Sequence, residues 1–267
     1  MASVGHKQGE YPLKRDTLAS IRLNFNHFWM KSLTGYLLHP SIGTSGENFR
    51  LVDLGAGTGL WACEVAADLP NGSVDAVDIS DQQFPPSVFQ PRNTHFWTHD
   101  FFKPFPQGQL NQFDVVNLKF VLYLVNDDVA DKLITNVLTL LKPGGHLQWF
   151  EPLPDTARLR GRNDIPTPAC DKRIAIWKKL APHSSYKWVD ALPHLFLKHN
   201  LEVVFENRYE SPEHYMPIAA QATYLGQIER GDPGGEDYVD QYREEYRSGA
   251  TVDVAFTCVV GRKMALQ

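Results

Sequence analysis

Three glycines at alternate positions, with an acid on either side, are the residues of this chain whose types and spacing could do chemistry. Gly55, Gly57 and Gly59 follow an apolar run and precede a segment of helical character. Glycine adopts backbone angles that other residues avoid and lets the main chain come close to a ligand. A strand that enters such a turn and continues as a helix is typical of a nucleotide site.

The flanking acids, Asp53 and Asp78, indicate which kind of nucleotide this would be. The glycines read G-x-G-x-G, one residue tighter than the G-x-G-x-x-G of dinucleotide-binding proteins. Asp53 precedes the first glycine by two residues, where it would repel a pyrophosphate and attract an ammonium group. Asp78 ends the next apolar run, where an acid can accept both ribose hydroxyls. The alternative is a purely structural turn between strand and helix.

The sequence Asp-Leu-Gly-Ala-Gly-Thr-Gly at 53–59, with Val-Asp-Ala-Val-Asp at 74–78, resembles the class I S-adenosylmethionine-dependent methyltransferases. Over most of residues 11–151 the chain is also similar to fungal secondary-metabolism methyltransferases that act on small molecules. The segments that carry this narrower resemblance are 11–15, 22–29, 35–42, 78–86 and 141–149. The resemblance implies S-adenosylmethionine as cofactor and S-adenosylhomocysteine as product.

The resemblance also implies a set of cofactor-binding residues. Asp100 would accept from the adenine amino group and the Phe101 amide would contact a ring nitrogen, although Asp100 could instead be a turn former. Ile79 or Phe84 would lie against the adenine face. Lys119 replaces the arginine usual in such relatives and would touch the cofactor carboxylate or point to solvent. The expected residues are Tyr11, Arg22, Asp53, Gly55, Gly57, Gly59, Asp78, Ile79, Phe84, Asp100, Phe101, Asn117 and Lys119.

The remaining pattern alternates short apolar runs with helical segments and indicates an α/β fold. As the resemblance implies, we expect a Rossmann-like, seven-stranded, mostly parallel sheet with an antiparallel last strand. Insertions are expected before strands six and seven. A single domain would comprise an N-terminal helical lid (1–48), a cofactor-binding core (49–151) and two substrate-pocket insertions (152–200 and 206–250). For the first helix, simple packing on the sheet is the alternative to a lid.

Local signals add finer predictions about single elements. The first helix should begin at Asp16 or Thr17 and stop at Gly35. Asp127 or Asp128 should cap the helix after the fourth strand. The acidic segment Glu236–Arg247 is predicted to be a solvated helix, and Val252–Val260 a single closing strand.

Candidate catalytic and substrate-binding residues are fewer. Methyl transfer needs a general base only when the acceptor must lose a proton. His27 and Glu151 are the candidates, and a surface role for each is the alternative. The aromatic residues that would suit an apolar acceptor, or equally an ordinary core, are Phe28, Trp29, Tyr123 and Trp149.

Composition limits the partners that this chain could have. It has 267 residues, a net charge of −5 and three separated cysteines, which argue against a nucleic-acid partner, a disulfide framework and a metal site. His95 and His99 are four apart but lack the glutamate of a zinc motif. No apolar run has membrane-spanning length, and no secretion signal is evident. We expect a cytoplasmic protein with a small-molecule acceptor, with a homodimer left open.

Three functions are consistent with these residues. The first is methyl transfer to an oxygen or nitrogen of a small secondary metabolite. The second is a rearrangement or cyclisation in which the bound cofactor acts only through its charge. The third is a non-catalytic regulator that uses the fold to bind a protein, against which the intact glycine turn and both acids argue.

Overall fold

Apolar runs build a central sheet whose inner strands are largely buried and whose two edge strands are partly exposed. The structure, a computed structural model, describes residues 14–46, 48–178, 186–230 and 235–264. The prediction for Tyr11 lies outside these ranges. The strands are β1 (Arg50–Leu54), β2 (Ser73–Asp78), β3 (Thr94–Thr98), β4 (Phe113–Lys119), β5 (Leu141–Pro152), β6 (Arg158–Gly161), β7 (Leu201–Tyr209), β8 (Ala250–Asp253) and β9 (Phe256–Lys263).

The helices cover both faces of this sheet and build the insertions. They are α1 (Thr17–Thr34), α2 (Leu60–Asp68), α3 (Asp127–Val137), α4 (Pro168–Lys178), α5 (Lys187–Asp190), α6 (Leu192–Lys198), α7 (Met216–Arg230) and α8 (Gly235–Arg247). None of the helices in the described ranges is both long and apolar enough to cross a membrane.

The sheet order is β3-β2-β1-β4-β5-β9-β7. β9 runs antiparallel to both of its neighbours, whereas the pairs among β1 to β5 are parallel. The predicted seven-stranded, mostly parallel sheet with an antiparallel last strand is therefore confirmed. The chain leaves β1 to one side and returns through β4 on the other, which places a ligand crevice at the carboxyl ends of these strands.

Helix α1 has the limits that its capping residues predict. Asp16 accepts a hydrogen bond from the Ala19 amide at 3.0 Å. Gly35, in the left-handed region at φ 79°, closes the other end by donating to the Lys31 carbonyl. The helix packs against α2 and against α7 of the second insertion.

Three local predictions are wrong. Asn126 caps α3, because its side chain accepts from the Asp128 and Val129 amides, and the two acids lie inside the first turn. Helix α8 is not wholly solvated, since Tyr238 and Tyr242 are buried in the insertion core.

The predicted single closing strand is divided in two. β8 pairs with β6 in a separate two-stranded sheet, and β9 enters the main sheet. Ala255 between them is held by hydrogen bonds to Leu153 and Thr156, which redirect the chain.

Candidate active site

A crevice lies at the carboxyl ends of β1, β2 and β4, and α1 covers one side of it. Residues from the glycine turn, the β2 and β3 ends, the β4 exit and α1 line it together. Of the predicted cofactor residues, those that line the crevice are Gly55, Gly57, Asp78, Ile79, Asp100, Phe101 and Lys119, and of the predicted catalytic residues only His27 does.

The glycine turn needs its glycines for two reasons. Gly55, Gly57 and Gly59 all have positive φ, at 71°, 56° and 70°. A Cβ on Gly57 would lie 2.9 Å from the Leu23 side chain, and one on Gly59 would lie 2.3 Å from the Phe96 ring. Gly59 is itself not among the crevice-lining residues, and it ends the turn by starting α2.

Asp78 ties the glycine turn to the end of β2. Its Oδ2 accepts from the Gly57 amide at 2.9 Å, and its Oδ1 accepts from the Ser80 amide at 3.3 Å. The carboxylate also lines the crevice, where its remaining lone pairs can accept from a ligand's hydroxyl groups.

Asp53 does not face the crevice. Its side chain is completely buried, and Lys119 Nζ lies 2.6 and 2.7 Å from its two oxygens. Asn117 donates to Oδ1 at 2.8 Å and is itself buried away from the lining. The expectation that Asp53 meets a ligand's ammonium directly is not met, because a lysine of its own chain occupies that place. Lys119 is the charged group that this pair presents to the crevice.

His27 reaches the crevice from α1. It is 3% exposed, and its Nε2 lies 3.0 Å from Glu64 Oε2 on α2. Its Nδ1 is buried and has no hydrogen-bond partner among the described residues. Burial, assisted by the positive charge of Lys119, lowers the pKa of His27, although Glu64 acts in the opposite direction. The imidazole is therefore neutral near pH 7.

Glu151, the other proposed base, is sealed in the protein interior. It accepts from the Val121 and Leu122 amides at 2.8 and 3.2 Å and from Trp149 Nε1 at 3.0 Å. Burial raises the pKa of Glu151 to about 8, against the effect of these donors. Trp149 points to the same side of β5 and packs against Trp188 in the core. Glu151 and Trp149 do not line the crevice: residues two apart on a strand share one face, and both side chains are buried in the core.

Five more predicted residues lie outside the crevice lining. Arg22 forms an ion pair with the buried Glu229 of α7, and Phe84 packs edge-on against the Phe96 ring. The three aromatic substrate candidates other than Trp149 also do not line the crevice: Phe28 is 52% exposed, Tyr123 is 42% exposed, and Trp29 packs against Phe256 in the core.

Several residues that line the crevice were not predicted from the sequence. Leu23 and Asn26 share one face of α1 with the predicted His27, at spacings of three and four, so helical periodicity could have identified that face. The others are Arg15, Ala56, Thr58, Leu60, Trp61, Gln83, Phe102, Phe120, Val121 and Leu124. No group of three or more metal-binding side chains suited to an ion occurs within the described ranges.

Comparison with known proteins shows that part of this sequence resembles a known type of domain. Residues 52–147 match the family model described as "Methyltransferase domain". Methyltransferase grgD of Penicillium sp is 30% identical over 160 residues, which are 57% of this chain and 55% of that protein. N-methyltransferase tcpN of Claviceps purpurea is 32% identical over 133 residues, 49% of this chain and 47% of that protein. The matched part of the chain is similar to the class I S-adenosylmethionine-dependent methyltransferases.

A further relative has a name that refers to regulation. The secondary metabolism regulator laeA of Aspergillus niger is 33% identical over 150 residues, 55% of this chain and 37% of that protein. The printed name of this relative refers to secondary metabolism, and related methyltransferase structures were solved with S-adenosylmethionine or S-adenosylhomocysteine bound. The chain spans about half the length of the first two relatives and little more than a third of the regulator.

Solved structures agree with the methyltransferase fold. The [4+2]-cyclase SpnF superimposes with a TM-score of 0.54 at 17% identity, over 92% of this chain and 95% of that chain. Haemonchus contortus phosphoethanolamine N-methyltransferase 2 gives a TM-score of 0.52 at 14% identity, over 91% of this chain and 53% of that chain. At these identities the likeness shows the fold alone.

Proposed function

We propose that this chain transfers the methyl group of S-adenosylmethionine to an oxygen or nitrogen of a small secondary metabolite. The observation that carries the proposal is the Asp78 carboxylate, held at the crevice beside the glycine turn by the Gly57 amide. The printed names of grgD and tcpN, a methyltransferase and an N-methyltransferase, support the same reaction type.

The residues present suit each part of the cofactor. Asp78 would accept from the ribose hydroxyls, while Ile79 and the Asp100–Phe101 pair would hold the adenine. Lys119 lies on the crevice wall, where it would face the cofactor carboxylate. Asp53 would hold the Lys119 ammonium in position. When bound, S-adenosylmethionine supplies a methyl carbon activated by a cationic sulfur.

The apolar residues of the crevice would bind and orient the methyl acceptor. Phe102, Phe120 and Leu124 would pack against an apolar acceptor and exclude water. Holding the acceptor atom in line with the methyl carbon converts a bimolecular reaction into an effectively unimolecular one, and much of the barrier reduction can come from this. We also propose that lid, core and insertions form one domain, since α7 of the second insertion packs against α1.

The cofactor site is tested by substituting Asp78. Asp78→Ala removes one or two charge-assisted hydrogen bonds, each worth roughly 1.5–3 kcal/mol, so the affinity for S-adenosylhomocysteine should fall by roughly one to three decades. Isothermal titration calorimetry measures this. Asp81→Ala, in an exposed residue of the same loop, is the matched control and should bind like the wild type. Equal affinities for the two variants would contradict the assignment.

The reaction is tested with cofactor labelled on the methyl group. A panel of aromatic phenols, amines and amides is incubated with protein and labelled cofactor, and mass spectrometry detects gain of the labelled methyl. Label in the product supports the proposal. Product without label would indicate a cyclase-type reaction, and absence of cofactor binding would indicate a non-catalytic regulator.

A further inference from the structure

His27 and Glu64 form a histidine–carboxylate pair at the edge of the crevice. The pair joins α1 to α2, with His27 Nε2 and Glu64 Oε2 3.0 Å apart. Lys31, one turn further along α1, donates to the same Glu64 oxygen at 2.9 Å. Partial burial opposes ionisation of Glu64, but the hydrogen bonds from Lys31 and His27 outweigh it and lower the pKa of the carboxyl. Glu64 is thus an ionised carboxylate, which can accept hydrogen bonds but cannot donate them.

This contact determines which nitrogen of His27 carries the proton. A neutral imidazole has one N–H donor and one acceptor nitrogen, and the partner of one nitrogen sets the role of the other. Because ionised Glu64 can only accept, Nε2 must carry the hydrogen, which leaves a lone pair on Nδ1. That nitrogen is buried and has no partner among the described residues. A buried acceptor left unpaired is unfavourable, and a bound N–H or O–H would satisfy it.

The groups around His27 keep it neutral. Burial and the Lys119 ammonium lower the pKa of His27, while Glu64 and Asp53 raise it. Lys119 is held by both Asp53 oxygens, so its charge stays near the end of β4. His27 lines the crevice, and a neutral imidazole with one unprotonated nitrogen is what a general base requires.

We propose that His27 is the general base of the methyl transfer and that Glu64 is its positioning residue. The inference rests on the proposed function and narrows its acceptor to an N–H or O–H group that loses its proton on methylation. Tertiary amines and thioethers, which have no such proton, are outside this class.

The step balances without a further reactant. The acceptor's lone pair forms a bond to the methyl carbon as the carbon–sulfur bond breaks, and that electron pair stays on sulfur. The acceptor's proton passes to His27 Nδ1, and Glu64 stabilises the resulting imidazolium through Nε2–H. The imidazolium then loses its proton to solvent, which restores the starting tautomer.

The chain contains a matched control on its outer surface. His199 Nε2 lies 3.0 Å from Asp131 Oδ1, and Lys198 donates to the same oxygen. This second set of histidine, lysine and carboxylate joins α6 to α3 and does not line the crevice. If loss of any histidine–carboxylate pair alters the rate or the stability, His199→Gln will show the same change. A change that depends on the position of His27 in the crevice will appear only in His27→Gln.

The tautomer is measured directly and without an acceptor. Protein labelled with ¹⁵N-histidine is examined by long-range ¹⁵N–¹H NMR at about pH 7.5 with saturating S-adenosylhomocysteine, and the signal absent from His27→Gln is assigned to His27. We expect a protonated Nε2 and an unprotonated Nδ1. Glu64→Leu should remove this preference, and Glu64→Ala, which also has no acceptor, serves if the leucine variant does not fold. A protonated Nδ1, or an imidazolium at this pH, would overturn the proposal.

The catalytic role is measured with the panel member that gains the labelled methyl. His27→Gln should lower kcat about 100-fold or more, while the Kd for S-adenosylhomocysteine changes less than about threefold and His199→Gln behaves like the wild type. A loss of cofactor affinity of about tenfold or more with kcat retained would show that His27 binds the cofactor instead, and the proposal would fail.

The pH profile separates positioning from a merely structural effect. The rate should fall as the pH is lowered and His27 becomes protonated. This fall should occur at pH values below the ordinary pKa of histidine, because the pKa of His27 is lowered. Because Glu64 raises that pKa, Glu64→Leu should shift the acid limb to lower pH as well as reduce the maximum rate. A reduced rate with an unmoved limb would overturn the role of Glu64. If no panel member is methylated and no cofactor binds, the proposed function fails, whereas the NMR result still decides the tautomer.

Discussion

At the scale of single residues, the Asp53–Lys119 pair shows how a buried acid can affect a site that it does not contact. Asp53 holds Lys119, and Lys119 lines the crevice. Asp53 has no exposed surface, and the Lys119 side chain is 10% exposed. Two opposite charges taken out of water are expensive to separate, since removing one leaves the other buried and uncompensated. The role of Asp53 is to hold the Lys119 ammonium at the crevice wall.

This pairing makes a prediction about stability. Lys119→Met should lower the free energy of unfolding by about 3–5 kcal/mol, because the Asp53 carboxylate loses its cation. The double variant Asp53→Asn with Lys119→Met should recover most of that loss, since no charge remains buried. Urea denaturation of the wild type, both single variants and the double variant measures the coupling. Additive effects of the two substitutions would contradict a direct interaction.

At the scale of elements, the β1–α2 turn is packed on both sides by side chains from elsewhere in the chain. Leu23 of α1 closes on Gly57, and Phe96 of β3 closes on Gly59. The turn therefore requires glycine for close packing as well as for its backbone angles, and α1 and β3 are positioned partly by it.

Substitution of Gly59 should show both requirements. Gly59→Ala places a Cβ 2.3 Å from a Phe96 ring atom at φ 70°, so the ring must move and the left-handed angle is strained. We expect the free energy of unfolding to fall by about 2–4 kcal/mol. Gly43→Ala, where no heavy atom lies within 4 Å of the added Cβ, is the control. Equal urea midpoints for the two variants would refute the packing argument.

At the scale of the whole molecule, Glu151 couples the sheet's stability to pH. It joins β5 to the segment after β4 by accepting from the Val121 and Leu122 amides. Its folded pKa, about 8, lies above the ordinary value of 4.5. The stabilisation from this group is therefore fully present below about pH 4.5 and is lost as the pH rises through about 8.

Glu151→Gln removes this titration and leaves the other buried acids unchanged. The wild type should be more stable than the variant near pH 5, because the glutamine amide cannot accept from every donor. That advantage should shrink by roughly 2–4 kcal/mol as the pH rises to about 8. Urea denaturation of both proteins across this range measures the difference. A difference that is constant with pH would show that Glu151 does not titrate in this interval.

Signals that lie close together in the chain determined much of this protein. Apolar runs that alternate with helical segments predicted an α/β fold, the glycine spacing predicted the turn, and Asp16 and Gly35 predicted both ends of α1. Asp78 also lines the crevice as expected, because the end of β2 lies beside the end of β1 in a parallel sheet. These features depend on backbone angles and periodicity, which neighbouring residues set.

Only the tertiary structure decided which side chains meet. His27 and Glu64 are 37 residues apart, and Lys119 and Asp53 are 66 apart, so their pairing depends on helix packing and strand register. The fold also buries the Trp149 and Glu151 side chains in the core, and neither lines the crevice. A partner distant in the chain is chosen by the geometry of the whole fold, and residue types and spacing alone do not contain that geometry.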